Sequence, residues 1–228
     1  MFSPSFETAA DAPSHYLSTR TGNEMNTFTP PYADSTTGRS GYSMTGQRKS
    51  RMALYRDGQL VAEKPDMFSG LFPDLPEAES AYRAELSLTL DEKTFPLSTR
   101  TSTAWTFRSA ATTRTRALPL MNARVAPNLD AHNSVRPNQL FIIPVTVQHN
   151  PGSQPSTVTE VAVEASFDDG AAWRDVPVYA GKDIWYGLEV NAAPDSYASL
   201  RVTATDETGN KVEQTVIHAY RISSATGR

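Results

Sequence analysis

The chain has 228 residues, 39% of them hydrophobic, with a formal net charge of −4 and no cysteine. The length suits one large β domain or two sandwiches of about 100 residues each. The missing cysteine excludes disulfides and thiolate metal sites, and the acidic balance argues against nucleic acid, whose phosphates need clustered Lys and Arg.

Residues 1–50 are dominated by Ser, Thr, Gly, Pro and Asn and show almost no apolar periodicity. They read as an irregular or partly disordered segment with room for one or two strands. Residues 1–16 have neither a basic n-region nor an apolar h-region, so no signal peptide is read there. Export would then rely on a signal carried by a longer chain. No apolar run approaches the roughly 18 residues of a spanning helix, so no membrane span is expected.

The first firm element is MALYRDGQLVAE, Met52 to Glu63. Asp57-Gly58 lies between two β-prone runs, and both residue types tolerate positive φ, so a type I′ hairpin is expected. In YRAELSLTL, Tyr82, Ala84, Leu86, Leu88 and Leu90 share one face, the period of a half-buried strand. TSTAWTF, Thr101 to Phe107, is a further β-prone run. Its surroundings hold the densest basic stretch, Arg100, Arg108, Arg114 and Arg116, which reads as a strand followed by a solvated linker. The alternation lapses in SAATTRTR, and a domain boundary is placed between Ser109 and Leu118.

Beyond it, β-prone runs recur about every 8–12 residues, the rhythm of a sandwich. They begin at Leu118–Val125 and Leu140–Val147. Pro144 cannot donate to a ladder and should mark an edge or a bulge. Val158 and Val161 have opposite parity, so a register break is expected between them. Runs at Trp173–Val178, Ile184–Val190, Ala198–Thr205 and Lys211–Tyr220 complete the set. No segment sustains a 3.6-residue period. The expected fold is all-β: two immunoglobulin/fibronectin-like sandwiches in tandem, over residues 51–112 and 118–223, after an irregular segment at 1–50. The first module could take in strands from 1–50.

Motifs for chemistry are sparse. No G-x-S-x-G elbow occurs, and Ser43 within Gly41–Gly46 has the wrong spacing for one. None of His15, His132, His149 and His218 stands at metal-ligand spacing to another. His218 reads as a satisfied strand histidine. Ser166-Phe167-Asp168-Asp169-Gly170-Ala171-Ala172-Trp173 fits S-x-D-x-G-x-x-W, which resembles the Asp-box of sialidases and other β-propellers. There it staples a hairpin and is not catalytic. Ser166, Asp168, Gly170 and Trp173 are assigned that structural role, with Trp173 buried so that its loss costs about 3–5 kcal/mol. Asp206, Gly209 and Asn210 in DETGN are assigned to the turn between the last two strands.

Taken in order, LYRDGQLVAE, STAWTFRS, LPLMNARVAPNLDAHNSVRPNQLFIIPVTV, SFDDGAAWRDVPV and SLRVTATDETGNKVEQTVIHAYRI resemble the C-terminal region of large secreted bacterial subtilisin-like serine peptidases. The resemblance covers roughly Met52 to Ile222. In that family the catalytic domain comes first and β-sandwich modules follow. The likeness implies an extracellular, non-catalytic accessory region that stabilises or targets a peptidase domain held in cis or trans. The family's catalytic segments, D-(T/S)-G, H-G-(T/S)-H and G-T-S-M-A-x-P, are absent from this sequence. No catalytic residue is carried over, and neither enzymatic activity nor a cofactor is expected. The alternative is an independent carbohydrate- or cell-wall-binding module, in which exposed aromatics stack on sugar rings. Trp185 and Tyr186 are the chief candidates, beside Trp105 and Trp173.

Overall fold

The structure, a computed structural model, describes residues 18–33, 40–41, 48–191 and 194–224. His15 and Ser43 lie outside the described residues. Every regular element among those described is a strand. The first half carries β1 (Thr19–Gly22), β2 (Glu24–Phe28), β3 (Tyr32–Ala33), β4 (Ser40–Gly41), β5 (Arg48–Arg56), β6 (Gln59–Pro65), β7 (Ser69–Phe72), β8 (Ser80–Leu90), β9 (Arg100–Ser109) and β10 (Thr112–Ala117). The second carries β11 (Met121–Val125), β12 (Ser134–Val135), β13 (Leu140–His149), β14 (Val158–Ser166), β15 (Arg174–Val176), β16 (Val178–Ala180), β17 (Trp185–Val190), β18 (Ser196–Asp206) and β19 (Lys211–Ile222).

The strand orders define two immunoglobulin/fibronectin-like sandwiches. In the second half, one sheet runs β11-β13-β17-β16 and the facing strands run β15-β14-β18-β19. In immunoglobulin lettering these are A-B-E-D and C′-C-F-G. In the first half, β1-β2-β7 is A-B-E, with β10 added outside β1, and β6-β5-β8-β9 is C′-C-F-G. The two G strands, β9 and β19, then pair antiparallel with each other, Thr106 opposite Lys211 through Arg100 opposite Ile217. The result is one nine-stranded sheet shared by both modules, with a four-stranded sheet packed on each half. A single cluster of buried apolar side chains, from Met25 and Phe72 through Trp105 to Val163 and Ile143, continues through both halves.

Polar groups close the seam on both faces of this sheet. On the inner face, Trp105 Nε1 donates to the Met121 carbonyl at 2.8 Å and to Asn122 Oδ1 at 3.1 Å. Gln214 Oε1 accepts from the Ala123 amide. Asn150, 1% exposed, donates through Nδ2 to the carbonyls of Ser18 and Leu118 at 2.7 and 2.9 Å, tying the two four-stranded sheets together. On the outer face, Arg83 reaches across from β8 to Glu213 of β19 at 2.6 Å. Burial alone would raise the Glu213 pKa, but Arg83 and Lys211 outweigh it and hold the carboxyl below its usual range.

The structure bears on three expectations. Thr112–Ala117, read as a linker, is β10, paired with β1 from Thr19 opposite Ala117 to Gly22 opposite Thr112. It is an outermost strand with four of its six residues exposed, so no buried face imposes alternation on it. The chain does pass from one small sheet to the other between β10 and β11, but through the buried Leu118 and Leu120. Second, the polar stretch before residue 50 supplies β1 and β2 to the first module, the strands for which that stretch was read as having room. Its Arg20 is 1% exposed, with Nε donating to the Gly22 carbonyl at 2.8 Å and Nη2 to the Pro76 carbonyl at 3.0 Å. Third, Pro144 lies in β13, an interior strand. Its carbonyl accepts from the Ala126 amide at 3.1 Å, beyond the last residue of β11, so its missing N–H falls where the ladder has already stopped. The register shift in β14 does fall between Val158 and Glu160.

Because the seam is buried, the two modules should unfold together. Replacing Gln214 by Leu leaves the buried Ala123 amide without its acceptor, a loss of about 1–3 kcal/mol. Hydrogen exchange should show β2 and β17 amides losing protection in one transition, in the native chain and in Gln214→Leu alike. Two separated transitions would mean that the modules are energetically independent.

Candidate functional site

The hairpins that the sequence singles out are equivalent elements of the two modules, each joining a C strand to its C′ partner. Between β5 and β6, Asp57 and Gly58 take φ of 49° and 80°, the double positive φ of a type I′ turn. Asp57 Oδ1 accepts from the Ala81 amide at 3.2 Å. Between β14 and β15 lies the Asp-box. Ser166 Oγ donates to Asp168 Oδ1 at 2.7 Å and accepts from the Gly170 amide at 2.9 Å. Asp168 Oδ1 accepts from the Ala172 amide at 2.9 Å. That amide, followed by the Ser166 hydroxyl, holds the Asp168 carboxyl below the usual carboxylate range.

Trp173 closes this loop by donating from Nε1 to the Gly170 carbonyl at 3.0 Å. It does not enter the core. The ring is half-buried and lies under the Arg201 guanidinium, 4.1 Å from its centroid. The expected full burial is therefore corrected, and with it the 3–5 kcal/mol scale. The cause is register: Arg174 is the first residue of β15, so Trp173 is placed on the loop. Next to it, Asp169 Oδ1 lies 2.6 Å from His218 Nε2, and the imidazole stacks on Tyr197 at 4.2 Å. Sequence reading missed this partner because 49 residues separate the pair. His218 itself takes φ 55° within a strand, where β19 carries extra residues opposite Ser199.

The DETGN turn is self-contained. Asp206 Oδ1 accepts from the Thr208 amide and hydroxyl at 2.9 and 2.8 Å and from the Asn210 amide at 2.9 Å. Its Oδ2 accepts from Asn210 Nδ2 at 2.9 Å and from the Ser156 hydroxyl. Gly209 takes φ 82°. Both carboxylate oxygens are used by donors of the protein, and this leaves a turn staple rather than a cation site. Burial would raise the Asp206 pKa, but the hydrogen bonds from Ser156, Asn210 and Thr208 prevail and lower it.

The aromatic candidates separate. Trp105 is 1% exposed and belongs to the seam. Trp185 and Tyr186 are consecutive on β17 and therefore face opposite sides of the sheet. They cannot form one stacking platform. Trp185 is half-buried and walls a cleft of about 760 Å³ at the open end of the second sandwich. Val147 and His149 of the neighbouring β13 continue that wall, Pro155–Thr159 leading into β14 form the opposing one, and the β16–β17 turn adds Lys182 and Asp183. Glu207 sits at its edge, accepting from the Thr157 amide at 3.0 Å. The cleft offers one indole, one ammonium and several hydroxyls, a set that holds a polar ligand by stacking and hydrogen bonds.

No family model matches the chain, and no curated protein matches it. Among solved structures, it is similar to the fibronectin(III)-like modules of Clostridium thermocellum CbhA, at 9% identity and TM-score 0.33, covering 100% of this chain and 98% of that one. It is also similar to the titin domains z1z2 in complex with telethonin, at 16% identity and TM-score 0.25, covering 92% and 90% of the two chains. A third, the titin I-band fragment I67-I69, has 8% identity and TM-score 0.24, covering 87% of this chain and 62% of that one. At these scores the fold assignment rests on the strand orders themselves.

The Asp206 turn generates a pH prediction. A carboxyl whose folded pKa is depressed contributes stability above its unfolded value, about 3.9, and loses it as pH falls through the folded value. The native thermal midpoint should therefore decline below about pH 4. Asp206→Asn turns the Oδ2 acceptor into a donor facing Asn210 Nδ2 and Ser156. It should lower stability near neutral pH by about 1–3 kcal/mol and flatten the acid limb. Thermal melts of both proteins across that range make the comparison, and parallel curves would show that Asp206 takes no part.

Proposed function

We propose that the chain is a non-catalytic accessory region that docks on and stabilises, or targets, a subtilisin-like peptidase domain in cis or trans, outside the cell. The observation that supports this reading is the outer face of the β11-β13-β17-β16 sheet. Leu140 pairs with Val190, Ile142 with Leu188, and Pro144 with Tyr186, which in turn pairs with Tyr179. These side chains alternate away from Ile143 and Val145, which enter the core. Leu140, Tyr179, Val190, Ile142 and Tyr186 are 66%, 59%, 52%, 50% and 39% exposed. A contiguous apolar face on a sandwich otherwise clothed in polar residues is the mark of a docking surface. In the first module the exposed apolar residues are scattered, among them Leu60 and Val61 on β6 of the shared sheet and Leu71 on β7.

One observation favours a second reading, an independent sugar-binding module: the indole-walled cleft at Trp185. A single experiment separates the two. The peptidase encoded immediately upstream is co-expressed with this chain, and complex formation is read by light scattering after size exclusion. A one-to-one complex that Ile142→Lys and Tyr186→Ser disrupt, with the melting midpoint of the free chain unchanged, is the expected outcome. Absence of a peptidase upstream, or of a complex, would overturn the docking reading. Retention on an insoluble glucan that Trp185→Ala abolishes would then favour the second.

A further inference from the structure

The outer face of the shared sheet, opposite the apolar docking face, carries a groove of about 450 Å³ that exists only because the two modules are fused. Its floor is a cross-strand row of hydroxyls. Ser87 of β8 stands opposite Ser102 of β9, and Ser102 stands opposite Thr215 of β19. At the usual strand spacing of about 4.8 Å the row is about 10 Å long. The next residue in the same row is Arg201 of β18, opposite Thr215. One wall is the Asp-box loop, with Asp169, Gly170 and Trp173. Arg100 stands at the far side, on the first module's G strand.

Each group is positioned and has binding capacity left. The Trp173 ring is fixed by its bond to the Gly170 carbonyl and by the stacked Arg201, and stays half-exposed. Arg201 is already neutralised by Glu164, whose oxygens lie 3.0 and 3.2 Å away. Arg100 is different. It donates to the Asp169 carbonyl at 3.3 Å and forms no ion pair among the described residues. A guanidinium presents five donors, so most of its donors remain free for an anion.

The shape of the site selects the ligand. The backbone groups of the floor are consumed by the sheet ladders, so an extended peptide has no edge to extend here. Glu164 pairs with Arg201, and the Asp169 carboxylate is held by His218 Nε2 at 2.6 Å, so of the two guanidiniums Arg100 alone has no carboxylate partner among the described residues. That single charge is too little for a phosphate polymer and enough for a single carboxylate. A half-exposed indole beside a row of hydroxyls suits a pyranose ring: stacking on one side, polyol hydrogen bonds on the other. We propose that this groove binds a carboxylated polysaccharide, with a uronate ring against Trp173 and its carboxylate on Arg100. The site stands apart from the peptidase-docking reading, because a partner on the apolar face leaves this opposite face uncovered.

The test is calorimetric titration of the full chain with galacturonate oligosaccharides and with the same oligosaccharides methyl-esterified. The free acid should bind and the ester should not, with affinity falling steeply as salt is raised towards about 1 M. Arg100→Ala, an exposed position whose melting midpoint should not change, should weaken binding by about tenfold or more. Ser102→Leu, which fills the floor, should abolish it independently of charge. Trp185→Ala should leave it unchanged. Failure of the wild-type chain to bind the free acid, equal binding of acid and ester, or indifference to both Arg100→Ala and Ser102→Leu would each overturn the proposal. Loss of binding in Trp185→Ala would overturn it too, by placing the sugar in the cleft at the end of the sandwich.

Discussion

The antiparallel pairing of β9 with β19 governs the rest of the architecture. An isolated immunoglobulin-like module ends its C′-C-F-G sheet on an open G strand, a row of unpaired backbone groups. Here each module supplies the other's missing neighbour, and the strand order C′-C-F-G continues into G-F-C-C′. The order is palindromic across the seam. Trp105 and Asn150 then have buried partners that belong to the other module or to the connection between the two. Without the pairing those polar groups would face solvent or lose their partners, and burying an unpaired polar group costs about as much as a lost hydrogen bond.

Strand content, the Asp57-Gly58 turn and the Asp-box bonding pattern were legible in the sequence, because each depends on a period of two or on local turn chemistry. The fusion of the modules was not. Nothing in TSTAWTF or KVEQTVIHAYRI announces a partner more than a hundred residues away, since any β-prone strand with a polar outer face can pair with any other. Strands before residue 50 were allowed for but not located, for a different reason: β1 buries Arg20 by using backbone carbonyls as partners, so its hydropathy is that of a loop. β10 was mistaken for a linker because an exposed outermost strand has no buried face to impose alternation. As for the candidate sites, Trp173 was singled out by its place in the Asp-box and Trp185 by residue type alone. Only the register of β15 and β17 decides that the first stands on a loop over the shared sheet and the second at the mouth of a cleft.

The two broad faces of the molecule have different chemistry. On the shared sheet, outward positions carry charge pairs such as Arg83–Glu213 and Arg201–Glu164, at 2.6 and 3.0 Å. Partly exposed pairs of this kind contribute little to stability, about 0–1 kcal/mol each. Their effect is to keep a wide, flat sheet wetted and monomer-like while leaving the hydroxyl row of Ser87, Ser102 and Thr215 clear. The β11-β13-β17-β16 face has no such pairs among Leu140, Ile142, Tyr186 and Val190. One face is charged and polar, the other apolar and exposed.

The seam also sets an order of events during synthesis. The first module contains all of its own strands once β10 has left the ribosome, but its G strand, β9, then presents Thr101, Thr103 and Trp105 beside an unsatisfied edge. That edge waits through the translation of the whole second module, because its partner, β19, is the last strand of that module. Throughout this interval the nascent chain carries a long, β-prone template for pairing with a neighbouring polysome's product. Crowded translation should therefore favour G-to-G exchange between chains, producing dimers in which β9 of one copy holds β19 of another.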